Sequence, residues 1–316
     1  MIDFKNQVVI VTGAGRGLGR LFALDFARRG AAVVVNDLGG ATRGGGSDSK
    51  VADEVVEEIK RAGGTAVASY DSVASPEGGA AIVQTAVDNF GRVDAVVSNA
   101  GILDQTPFDK VTVEQWRTML SVHLDGSFYL SQPAFKVMKA QGYGRFVLIS
   151  SAAGMFGTQN QAHYGAAKGG IFGLNNVIAI EGAAHGILAN CVLPGGSSRM
   201  FIQSAGGEAG IEAMPWMKLL DPDLVTPMVV FLASRDCTAT HQNYSAAAGR
   251  YARVFAGVGP GWLSEAGSKP TADDIEAHFA EVSATTPFYA PSDAGEESAE
   301  YAARRGVPFS TPGGGK

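Results

Sequence analysis

Ser151, Tyr164 and Lys168 have the side chains and the spacing for acid/base chemistry. Tyr164 and Lys168 lie four apart in QAHYGAAKGG, so on a helix they share a face one turn apart. Ser151 closes the apolar run RFVLISS, where a chain leaves the end of a buried strand. A free tyrosine titrates near ~10. An ammonium within about 4 Å of the phenol oxygen, at an effective dielectric of ~20, favours the phenolate by roughly 4 kcal/mol. That is ~3 pKa units. Lys168 is therefore expected to poise Tyr164 near neutral pH, where a proton-transfer group works best. Ser150 carries the same hydroxyl as its neighbour, and the residues alone leave either as the third member.

Such a trio needs a rigid support and a second reactant, and the N-terminal stretch supplies the signal for both. VVIVTGAGRGLGRLFALDFA reads as a strand, a glycine-rich turn and an amphipathic helix. Gly13, Gly17 and Gly19 fit G-x-x-x-G-x-G; Leu18 stands where G-x-G-x-x-G would need its last glycine. Small residues there let backbone approach a pyrophosphate at a helix N-terminus, with Arg16 and Leu18 in the same turn. Asp37 ends the second strand, eighteen residues past Gly19, where a carboxylate accepts hydrogen bonds from a ribose. Its charge repels a 2′-phosphate, so NAD is expected over NADP; Arg16 and Arg43 point the other way. Asp71 and Ser72 follow the third strand and suit an adenine contact. Asn99, Ala100 and Gly101 follow the fourth and allow close approach of a cofactor. Turn chemistry alone also accounts for either group.

The supporting elements alternate. Strands are expected over 8–12, 31–36, 65–70, 93–98, 145–150 and 187–192. They are short and apolar throughout, as in a parallel sheet covered on both faces. Between them Val51, Val55, Ile59 and Ala62 share a helix face, as do Val83, Ala86, Val87 and Phe90. The fold class is α/β: a doubly wound parallel sheet (Rossmann fold), with ligands at the strand carboxyl ends. Residues 1–248 are expected to form this domain, and 249–316 an extension packed on it. Segment 38–50 is a glycine-rich loop, and 195–215 suits a substrate lid. A strand over 250–258 and a capped helix over 271–283 are expected, with disorder from about 306.

Composition excludes several classes. The chain has 316 residues, 46% hydrophobic, with net charge −6 and pI near 5.4, which argues against nucleic-acid binding. Cys191 and Cys237 lack metal-ligand spacing and suit a reducing compartment, so no metal is expected. No run approaches the ~18 apolar residues of a membrane span. MIDFKNQVVIVTG runs straight into a strand without a basic leader. The expectation is a cytoplasmic protein.

TGAGRGLG, Asp37, SNAG at 98–101, Ser151 and YGAAK at 164–168 together resemble the short-chain dehydrogenase/reductase family. VVVNDLGG, YDSV at 70–73, VHLDGSF at 122–128, SRM at 198–200 and GVGPGW resemble one group within it. That group comprises the (3R)-hydroxyacyl-CoA dehydrogenase units of peroxisomal type 2 multifunctional enzymes and their stand-alone bacterial relatives. The resemblance implies Tyr164 as acid/base and Ser151, at the family's thirteen-residue spacing, on the substrate oxygen. It implies Lys168 on the nicotinamide ribose, and Gly13, Gly17, Gly19, Asp37, Asp71, Ser72, Asn99, Pro194 and Gly195 around the cofactor. It implies oxidation of a 3-hydroxyacyl-CoA with NAD, in a homodimer or homotetramer built on helices over 113–139 and 161–184. A hydroxysteroid or other secondary-alcohol dehydrogenase, a 3-oxoacyl reductase, and a cofactor-binding regulatory protein are the alternatives. Two positions depart from the common family pattern: His123 stands where many members have Asn, and Arg199 where many have Thr.

Overall fold

This computed structural model describes residues 1–41, 46–196 and 214–309, and β-branched residues make up most of its first two strands. Strands β1 (Val8–Thr12), β2 (Ala32–Asn36), β3 (Thr65–Ser69), β4 (Ala95–Ser98), β5 (Gly144–Ile149) and β6 (Ile187–Gly195) pair in parallel. With β7 (Gln242–Ala247) and β8 (Arg250–Val254) they form one sheet in the order β3-β2-β1-β4-β5-β6-β7-β8. The order reverses between β1 and β4, which opens a crevice at the carboxyl ends of those two strands.

Alternate strand residues feed two cores, one on each sheet face. Val9, Val11, Val33, Val35 and Val97 meet Phe22 and Phe26 of α1 (Gly17–Arg28), and Val55 and Ile59 of α2 (Lys50–Arg61). Val8, Ile10, Val34, Val96 and Phe146 meet the opposite layer. That layer is α3 (Pro76–Phe90), the helix pair α4 (Val113–Leu120) and α5 (Gly126–Gln141), and, after the short α6 (Ala152–Phe156), α7 (Ala162–Gly182). Local chemistry sets the helix ends. Ser75 caps α3 through the Gly78 amide with Pro76 in the first turn, and Thr112 and Gln115 form a capping box on α4. The helix expected over 113–139 is real but contains one turn of π-helix, Ser121–Asp125.

Three expectations need correction in detail. β6 runs on to Gly195 because β7, a strand the sequence reading missed, pairs with it as far as Ala247. Ala248 and Gly249 then both take positive φ, the geometry of a two-residue hairpin turn into β8, which ends at Val254 rather than 258. The helix expected over 271–283 starts at its predicted Thr271 cap but breaks at His278 into Ala272–Ala277 and Phe279–Val282. Most of the expected lid, Arg43, Arg199 and the terminal 310–316 lie outside the described residues. The chain divides into two compact units, Met1–Arg253 and Val254–Lys316. Among the described residues no helix is long and apolar enough to cross a membrane, and no cluster of potential metal ligands occurs.

Candidate active site

The crevice between β1 and β4 is a cavity of about 410 Å³, within the range of small-molecule sites. Gly13, Arg16, Gly17, Leu18, Gly19, Asp37, Asp71, Ser72, Asn99, Ala100 and Gly101 all line it, so eleven residues singled out from the sequence meet in one place. The turn is tight. A Cβ on Gly19 would lie 2.1 Å from the Gly13 carbonyl oxygen, and one on Gly13 would lie 2.9 Å from Ala100 Cα. No side chain caps the amino end of α1, which opens on the cavity and suits a pyrophosphate. Asp37 is half-buried, and both its oxygens accept backbone N–H bonds, from Gly15 at 2.9 Å and Gly39 at 2.7 Å. It therefore ties the glycine turn to the loop after β2 as well as facing the cavity. Asn99 turns its amide away, donating to the carbonyls of Thr12 at 2.9 Å and Gly13 at 3.2 Å.

Tyr164, Lys168, Pro194 and Gly195 are not in the wall of that cavity. Pro194 and Gly195 end β6, and a Cβ on the following Gly196 would come within 3.3 Å of Leu18. Tyr164 and Lys168 lie on α7, as their spacing requires. Ser151 caps α6, accepting from the Ala153 amide at 3.1 Å, and its hydroxyl reaches the Tyr164 phenol and lowers that group's pKa. Ser150 is spent elsewhere: its hydroxyl donates to the Lys168 carbonyl at 2.8 Å. The structure thus separates the two serines that the residues alone leave equivalent.

The electrostatic expectation for Tyr164 fails. Burial holds its phenol above the ordinary tyrosine value, with the Ser151 hydrogen bond acting against it. Lys168 Nζ sits 5.8 Å from the centre of the Tyr164 ring and donates to the Ile149 carbonyl at 2.6 Å. Lys168 is itself 4% exposed. Desolvation pushes its ammonium down to about 7, opposed by the neighbouring Cys191. A half-neutral amine aimed at a carbonyl does not supply the full cation that the Coulomb estimate assumed.

A family model described as short chain dehydrogenase matches residues 7–205. The chain belongs to that family. This short-chain dehydrogenase is therefore an NAD(P)-dependent oxidoreductase acting on CH–OH groups of small molecules. Peroxisomal multifunctional enzyme A of Dictyostelium discoideum is 45% identical over 264 residues, 84% of this chain and 55% of that protein. A Mycobacterium tuberculosis protein named as a short-chain type dehydrogenase/reductase is 42% identical over 284 residues, 89% of this chain and 96% of its own length. The structure of full-length peroxisomal multifunctional enzyme type 2 from Drosophila melanogaster matches with a TM-score of 0.78 at 32% identity. It covers 96% of this chain and 50% of that one. The chain spans about half the length of these two multifunctional proteins.

The short-chain dehydrogenase site also uses residues that the sequence reading passed over. Thr12 ends β1 fully buried, and its Oγ1 accepts from the amides of Asn99 at 3.0 Å and Ala100 at 3.1 Å. Asn36 ends β2 and donates to the Asp71 carbonyl at 2.9 Å. Both sit at carboxyl ends of expected strands, so strand-end position was the signal available. Ile102, Thr118, Ser121 and Val122 complete one cavity wall. They come from the π-turn region and the loop after β4, which carry no such signal.

Proposed function

We propose that the protein is an NAD-dependent dehydrogenase interconverting a (3R)-3-hydroxyacyl-CoA and the 3-oxoacyl-CoA, with Tyr164 as the acid/base. The observation that carries the acid/base assignment is the Ser151 hydroxyl on the Tyr164 phenol, with Lys168 one turn further along the same helix. A nicotinamide bound in the cleft supplies the hydride acceptor. The chain's own groups orient the substrate and move the proton. Ser151 holds the substrate oxygen, and the Tyr164 oxygen takes the hydroxyl proton in oxidation and returns it in reduction. Lys168 holds the nicotinamide ribose and shares the proton balance of the pair. Gly13, Arg16, Gly17, Leu18, Gly19, Asp71, Ser72, Asn99, Ala100, Gly101, Pro194 and Gly195 surround the dinucleotide.

NAD is favoured because Asp37, a half-buried carboxylate in the cavity wall after β2, would repel a 2′-phosphate. Acyl-CoA is favoured by the motif resemblance from VVVNDLGG to GVGPGW and by the likeness to multifunctional enzymes. The same reading places the protein in the cytoplasm as a homodimer or homotetramer. The exposed apolar side chains Phe128 on α5 and Val177 and Ile180 on α7 support assembly on those helices. The test is kcat/KM with NAD and NADP over (3R)- and (3S)-3-hydroxyacyl-CoAs of several lengths and a hydroxysteroid. The expected result is preference for NAD and the 3R thioester. Higher efficiency on the steroid, or equal use of NADP, contradicts it.

A further inference from the structure

We propose that Asp104 and His163 form a positioning pair for the reaction. A polar contact between their side chains ties the loop after β4 to the first turn of α7 and so sets where the Tyr164 phenol stands. The inference rests on the assignment of Tyr164 as the acid/base. His163 is the second residue of α7 and directly precedes Tyr164. It is fully buried, and neither ring nitrogen has a hydrogen-bond partner among the described residues. An imidazole always carries at least one N–H, and leaving that N–H unbonded in the interior is unfavourable. Asp104 is the acid that faces it, with His163 Nε2 at 3.6 Å from Asp104 Oδ2. A shift of about 0.7 Å turns this contact into a full hydrogen bond, with Nε2–H donating to the carboxylate.

Asp104 is held from its own side. Its Oδ2 accepts from the Thr106 hydroxyl at 3.2 Å and from Gln115 Nε2 at 2.8 Å. Gln115 Nε2 also donates to Thr106 Oγ1 at 3.0 Å, and Gln115 Oε1 accepts from the Thr112 amide at 2.9 Å within the α4 capping box. The carboxylate is thus fixed by α4 and by its own loop, and the imidazole is referred to a rigid point. A second tie runs alongside. The Thr106 amide donates to the Asn160 carbonyl at 2.8 Å, and Thr106 bridges Gln161 at the entry to α7.

The consequence falls on Tyr164. Ile102, at the start of the same loop, lines the dinucleotide cleft, while the phenol one residue past His163 meets the Ser151 hydroxyl. The Asp104–His163 contact therefore sets the first turn of α7 against the wall of the cleft. A displacement of that turn carries the phenol away from the reacting oxygen, and a misplacement of about 1 Å costs on the order of 100-fold in rate. Neither side chain touches the reacting atoms; the contribution is placement.

The test is steady-state kinetics of the full chain as His163→Leu, His163→Gln, Asp104→Ala and the double variant His163→Leu with Asp104→Ala. Tyr164→Phe is measured alongside. Turnover is expressed per NADH-binding site, titrated by fluorescence, so that unfolded protein does not count. His163→Leu fills the space without a polar atom, whereas His163→Gln keeps an N–H near the position of Nε2. His163→Leu and Asp104→Ala are each expected to lower kcat by about 10- to 100-fold, with the dinucleotide KM near normal. The double variant should be no slower than the slower single variant, as for two residues acting through one contact. His163→Gln should restore most of the turnover. Wild-type kcat in both single variants, losses that multiply in the double variant, or a His163→Gln enzyme as slow as His163→Leu overturns the pairing. Near-normal turnover of Tyr164→Phe overturns the acid/base assignment itself, whatever the other variants do.

Discussion

At Tyr164 two influences oppose each other: apolar burial raises the phenol's pKa, and the Ser151 hydroxyl lowers it. Removing the hydroxyl should therefore cost turnover rather than stability. Ser151→Ala is expected to lower kcat on the order of 100-fold, as loss of a donor at a reacting oxygen does. Ser150→Ala should instead keep kcat and lose roughly 0.5–1.5 kcal/mol of stability, because it removes a buried hydrogen bond to the Lys168 carbonyl. Activity and urea-unfolding measurements on the two variants check the split. Lys168 gives a second prediction. Its ammonium is brought from the ordinary 10.5 to about 7, so between those values the unfolded chain binds more protons than the folded one. The cost of the buried charge is fully present below pH 7 and is relieved as pH rises towards 10.5. Wild type should gain on Lys168→Met across that window, by at most about 1.4 kcal/mol per pH unit. A constant gap in unfolding free energy from pH 7 to 10 contradicts this. The residue types and their spacing were legible in the sequence. The direction of the Lys168 side chain was not, since a four-residue spacing fixes a shared face but not which acceptor the amine reaches.

At the scale of elements, the site is set by where strands stop. Gly13 follows β1, Asp37 follows β2, Asp71 lies two residues beyond β3, and Asn99 follows β4. Apolar runs and their end points are visible in a sequence, which is why eleven cleft residues could be named in advance. The π-turn could not be read. VTVEQWRTMLSVHLDGSF has an ordinary helical pattern, and one inserted residue changes neither composition nor periodicity enough to show. β7 was missed for a related reason: its residues are polar or small and mostly half-buried, so neither alternation nor a solid apolar run marks it. The close packing of the loop after β4 on the π-turn yields a prediction. Gly101→Ala places a methyl 2.3 Å from His123 Cε1, and such overpacking costs about 1–3 kcal/mol. The variant should fold with a lowered melting temperature and reduced kcat. Unchanged kcat and melting temperature would mean that the ring moves aside freely.

For the whole molecule, the sheet order brings the glycine turn, Asp37 and the β4 end around one cavity, while α6 and α7 carry Ser151, Tyr164 and Lys168. The seam between these halves runs through Gly101, Ile102 and His123, and through Gly196 against Leu18. In the proposed function, a dinucleotide on one side and a proton-transfer group on the other make a secondary-alcohol dehydrogenase. In that function the alcohol is a hydroxyacyl thioester, on the strength of the motifs that resemble those of the multifunctional enzymes. The most direct measurement is the rate of NAD reduction by wild type and Tyr164→Phe with a (3R)-3-hydroxyacyl-CoA, with NAD affinity measured in parallel. The account predicts saturable turnover by wild type, a loss of at least about 100-fold in kcat on removing the phenol, and NAD affinity unchanged. No turnover of the 3R thioester by wild type, or near-normal turnover by Tyr164→Phe, would contradict it.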